Sequence, residues 1–111
     1  MTTQEVAAMI ASVGLPNAYN QFASPQNPPY ICFLYSGNDP FAADDRNYVQ
    51  IEGLTIELYA DNKDFVHERA IEDVLNANDL PFDKDCTYLN DERLYMTIYT
   101  MEVLINGSWN E

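Results

Sequence analysis

The chain has 111 residues and a hydrophobic fraction of 47%, enough for one domain with a modest core and too apolar for a disordered chain. Eighteen Asp+Glu oppose five Lys+Arg, for a formal net charge of −13. Such a surface repels phosphate, so neither sequence-specific nucleic-acid binding nor anionic-membrane binding is expected, since both need clustered Lys/Arg. The five basic residues, Arg46, Lys63, Arg69, Lys84 and Arg93, are scattered. No run approaches the about 18 apolar residues of a membrane span. The first residues lack a basic stretch followed by an apolar one, so no signal peptide and an intracellular protein are expected.

Thr2-x-x-Glu5 has the spacing of a capping box and predicts a helix from near residue 3. Val6, Met9, Ile10 and Val13 recur at i, i+3, i+4 and i+7, the buried stripe of a short amphipathic helix. Gly14 suits a left-handed C-terminal cap, and Pro16 prevents continuation. Residues 15–29 are polar and hold four prolines, which predicts an extended connection pinned by the rings of Tyr19 and Phe22. Residues 30–35 are short, aromatic and β-branched, and read as a strand covered at least partly on both faces.

Residues 36–47 form a loop with a Gly37-Asn38-Asp39-Pro40 turn signal and three acids, Asp39, Asp44 and Asp45. A long strand spans about 48–60. Val49 and Ile51 are odd-numbered while Leu54, Ile56 and Leu58 are even, so its apolar pattern changes phase, and a β-bulge at Gly53 is the economical explanation. Asp61, Asn62 and Asp64 offer N-caps for a second helix, with Val66, Ala70 and Val74, beside Ile71 and Leu75, as its buried stripe. Asn78-Asp79-Leu80-Pro81 ends it. A short strand at 86–89, a turn at 90–92 and a last strand at about 93–105 predict a hairpin, and 106–111 is a frayed tail apart from Trp109. The order α-β-β-α-β-β predicts an α+β fold over 1–111 as a single domain: a four-stranded, largely antiparallel sheet, two helices on one face and the other face open to a partner.

Signals of chemistry are sparse. His67-Glu68 begins like a zinc-protease motif, but Ile71 stands where the second His belongs. Asp83-x-Asp85-x-Thr87 begins like a calcium loop, but Tyr88 replaces the required Gly and Leu94 the closing Glu. Cys32 and Cys86 read as small core residues, with pairing left open. No nucleophile–base pair is legible, so neither an enzyme nor a cofactor or metal site is expected.

The segment order, with the strings Pro29-Tyr30-Ile31 and Glu57-Leu58-Tyr59 and the terminal hairpin through Tyr88 and Glu92-Arg93-Leu94-Tyr95-Met96, resembles the tail-terminator or tail-completion proteins of phages and prophages of Gram-positive bacteria. The resemblance covers nearly the whole chain. It implies a structural subunit, without catalytic residues, that forms a ring with copies of itself, usually a hexamer. The ring caps the tail-tube protein and offers the surface for the head-neck connector protein. It implies assembly in the host bacterial cytoplasm and residence in the virion tail. Tyr48, Tyr59, Tyr95 and Tyr99 are the candidate interface residues, as aromatics on long strands. Asp39, Asp44 and Asp45 are the candidate lumen or docking loop, since like charge keeps passing DNA from sticking.

Three other readings compete. One is a different phage neck or connector protein. Another is an acidic inhibitor that mimics DNA, for which Glu52, Glu57, Asp61, Asp64, Glu68, Glu72 and Asp73 could form part of a row of carboxylates. The third is a small enzyme with an unrecognised pair of acids, which would need a deep pocket.

Overall fold

A computed structural model describes residues 1–38 and 49–106. Thr2 and Glu5 close the expected capping box: the Glu5 amide donates to Thr2 Oγ1 at 3.1 Å and the Thr2 amide to Glu5 Oε1 at 2.8 Å. They start α1, Thr3–Ala11, which buries Val6, Met9 and Ile10. Gly14 follows with φ +92°, a left-handed conformation that costs a residue without Cβ little.

The next segment departs from expectation. Asn17–Tyr19 is a short strand, β1, parallel to β2, Tyr30–Asn38. Three residues behind a proline carry no periodicity, and their ladder exists only because Tyr30–Asn38 is brought alongside. The Ile31 amide donates to the Pro16 carbonyl at 2.9 Å, the Asn20 amide to the Phe33 carbonyl at 2.7 Å, and the Tyr35 amide to Tyr19 Oη at 3.1 Å. The expected ring contacts are present, with Tyr19 packed on Phe33 and Phe22 on Tyr30.

Further along lie β3, Val49–Ala60; α2, Phe65–Ala77; β4, Asp83–Leu89; and β5, Leu94–Asn106. The fold is α+β, with two helices and one mixed sheet of five strands among the described residues rather than four, in the order β1-β2-β3-β5-β4. Among the described residues β1 and β2 run parallel and the other pairs are antiparallel.

β3 has neither the expected bulge nor a change of phase. β3 pairs with β5 without interruption from Val49↔Asn106 to Ala60↔Tyr95. The irregularity lies across the other ladder, where Tyr35 pairs Leu54 and Asn38 pairs Glu52, so the extra residue belongs to β2. Gly53 sits opposite it, and a Cβ there would collide with Ser36 Oγ. Because β3 keeps its parity, the even positions from Glu52 to Ala60 face the helices. Glu52 is therefore 1% exposed on the core side, and Ile51 lies half-buried on the other.

Both helices pack on one sheet face, as expected. Val6, Met9 and Ile10 of α1 and Ile71 and Leu75 of α2 join Ile31, Phe33, Leu54, Ile56, Leu58, Tyr99, Met101, Val103 and Ile105 in one apolar cluster. The stripe of α2 is phased differently from the sequence reading. Val66 is 76% exposed, Ala70 and Val74 are half-buried, and Glu68 takes the buried position in the first turn, on the same face as Ile71 and Leu75. Asp64 caps this helix, accepting from the His67 amide at 3.0 Å and contacting His67 Nδ1 at 2.6 Å. No helix of the described residues is long and apolar enough to cross a membrane.

Candidate assembly surface

The predicted site residues do not form one patch. Tyr48, Asp39, Asp44 and Asp45 lie outside the described residues. Tyr99 is fully buried under α2, where its hydroxyl donates to Glu72 Oε2 at 2.7 Å; it belongs to the core and not to a free face. Tyr95 also points to the helix side, half-buried against Tyr88 with ring centroids 4.9 Å apart. Both follow from the unbroken β3–β5 register, which puts odd-numbered β5 residues on the core side. Tyr59 alone among the described candidates lies on the helix-free face.

The helix side ends in a charged brace between α2 and the hairpin. Glu68, 2% exposed, contacts Lys63 Nζ at 2.6 Å through Oε2 and Lys84 Nζ at 2.9 Å through Oε1, the second without hydrogen-bond geometry. Lys84 also donates to Glu72 at 2.7 Å, and Thr97 Oγ1 reaches Glu68 at 3.4 Å. Burial alone would raise the Glu68 carboxyl; the hydrogen bond from Lys63 and the charges of Lys63 and Lys84 outweigh it and hold the group below the usual carboxylate range. The partnership with Glu72 and Glu68 likewise raises Lys84. Lys84 of β4 and Thr97 and Tyr99 of β5 all meet Glu68 or Glu72, so the cluster cross-links α2 to β4 and β5. Cys86 faces this brace, exposed and 3.5 Å from Lys63 Nζ, not in the core. Cys32 is buried toward the opposite sheet face, so the two thiols are free and cannot pair.

No helix of the described residues covers the other sheet face. There Leu34, Ile51, Met96 and Ile98 are half-buried, and Leu104 is 54% exposed. At one end the segment after β1 folds over the sheet and leaves a groove of about 460 Å³, lined by Phe22, Tyr30, Tyr59, Leu89, Glu92 and Leu94 among others. Tyr30 stacks on Tyr59 with centroids 5.0 Å apart and planes at 18°, while Phe22 meets Tyr30 edge-on at 5.4 Å. The Tyr59 hydroxyl donates to Glu57 Oε1 at 2.9 Å. The Tyr30 phenol is raised by burial first and then by neighbouring negative groups, Glu92 and Glu57 included. The sequence reading missed Phe22, Tyr30 and Glu92 as a set. Only the Tyr30↔Tyr59 register and the fold of residues 20–26 unite them.

Among the described residues, no group of three His, Cys, Asp or Glu could hold a metal ion. The proposed row of carboxylates is broken: Glu52 and Glu68 are buried under the helices, and Glu57 faces the opposite side of the sheet. No protein-family model matches the chain, and no curated protein matches it.

Proposed function

We propose that this protein is a non-enzymatic structural virion subunit, a phage tail terminator that caps the tail tube as a ring of its own copies and presents the joining surface to the head. The observation that carries the reading is the asymmetry of the long β3–β5 sheet. Both helices pack on one face, while on the other, which no helix of the described residues covers, Leu34, Ile51, Met96 and Ile98 are half-buried and Leu104 is exposed. Half-buried aliphatic rows of this kind, rimmed by polar groups, suit a subunit or docking interface. Its partners are copies of itself, the tube protein and the neck connector. In sequence, Asp39, Asp44 and Asp45 fall between β2 and β3, and we assign them to a loop facing the lumen or the docking partner. The charge of −13 opposes self-association in solution, so ring closure is expected on the tube end rather than in the free protein. The broken row of carboxylates weighs against the DNA-mimic reading.

The test is negative-stain microscopy of unterminated tail tubes mixed with the folded protein. Tubes that stop growing and carry extra density at one end are expected. Tubes that elongate unchanged would overturn the assignment.

A further inference from the structure

The groove at the end of the helix-free face has a composition of its own. Its walls combine aromatic rings, aliphatic side chains and amides, and Glu92 is its one charged lining residue. Phe22, Tyr30 and Tyr59 form a contiguous ring array, held by an edge-on contact and a stack. Glu57 sits beside it and fixes the Tyr59 hydroxyl. Arg93, next in sequence to Glu92, is not part of the lining. Aromatic π-faces are negative, and so are the two carboxylates. An anionic guest would meet repulsion from every side of the site and from a chain of net charge −13. A neutral apolar guest would leave the carboxylates unused and partly desolvated.

We propose that this groove receives an arginine side chain from a segment of a partner protein. A guanidinium is planar, stacks on tyrosine, and can donate to a carboxylate while stacked. Its three-carbon stem would pack along Leu89 and Leu94 at the groove wall. Among the described basic groups, Arg69 belongs to α2 on the other sheet face. Lys63 and Lys84 are engaged in the brace on the other sheet face, and approach of a second acidic copy is opposed by charge. A different, basic partner is therefore the occupant that the charges favour. Docking on the helix-free face is the reading on which this rests; a peptide test needs no tail tube, so the two can fail separately.

The experiment is an aromatic-region NMR titration of the full chain with the peptide acetyl-Gly-Arg-Gly-amide, run against the neutral isostere in which citrulline replaces arginine. The arginine peptide is expected to shift Tyr30, Tyr59 and Phe22 resonances with millimolar saturation and leave Tyr99 unmoved. The citrulline peptide is expected to bind about tenfold more weakly. Glu92→Gln, an exposed turn substitution that leaves the core untouched, is expected to weaken the arginine peptide several-fold and leave citrulline binding unchanged. Equal binding of the two peptides, shifts spread evenly over the surface, or no shift at about 10 mM peptide would each overturn the proposal.

Discussion

The two faces of the sheet come from the same strands yet differ in burial. On the helix side every β3 position from Glu52 to Ala60 at even spacing is buried, and even the charged intruder Glu68 is neutralised by lysines on both flanks. On the other side the alternate positions of the same strands, Ile51, Thr55, Glu57 and Tyr59, are only half-buried. Period-2 alternation normally sets apolar against polar. Here both faces carry apolar residues, and the helices of the described residues pack on one of them. The buried core lies on the first face, and on the proposed function the second is the docking face.

Substitutions can break that contrast, beginning with the largest effect. Leu58→Ala, at a position 1% exposed, is expected to cost about 2–5 kcal/mol in urea unfolding. Lys84→Met removes one of the two lysines facing Glu68 and the one facing Glu72; a loss of about 1–2 kcal/mol is expected from the same measurement. Gly53→Ala should cost about 0.5–1.5 kcal/mol, because Ser36 must leave its rotamer to admit the new Cβ, and adding Ser36→Ala should recover most of it.

The two buried glutamates sharpen the contrast in their pH dependence. Burial raises the Glu52 carboxyl above its ordinary value of 4.5, so its contribution is fully present below pH 4.5 and is lost as pH rises through the folded value. For Glu68 the lysines outweigh burial and lower the carboxyl, so its contribution is present above 4.5 and is lost as pH falls through the folded value. Urea midpoints measured against pH should show Glu52→Gln gaining on the parent as pH rises from 4.5. Glu68→Gln should lose to the parent in the window below, as pH rises through the folded value toward 4.5.

Much of this was legible in residue order. The capping box, the α1 stripe, the helix-breaking Gly14 and Pro16, and the placement of both helices on one face all follow from local spacing. Four features were not. β1 owes its existence to a ladder with residues far along the chain. β3 keeps one parity and buries Glu52, while the extra residue sits opposite on β2, which the sequence of β3 could not reveal. Glu68 defeats an apolar count because its burial depends on Lys63 and Lys84 arriving from outside the helix. The ring array needs both the β2–β3 register and the fold of the segment bearing Phe22. Tyr99 shows the limit of composition: a strand tyrosine is as well suited to a core as to an interface, and only register decides.

The claim that the helix-free face is the docking face is tested most directly by matched charge insertions in the tube-capping assay. Ile98→Glu places one negative charge on that face, and Val66→Glu places the same charge on the exposed side of α2. With both variants folded by circular dichroism, Ile98→Glu is expected to lose capping while Val66→Glu caps tubes like the parent. Equal capping by both, or loss confined to Val66→Glu, would contradict the account.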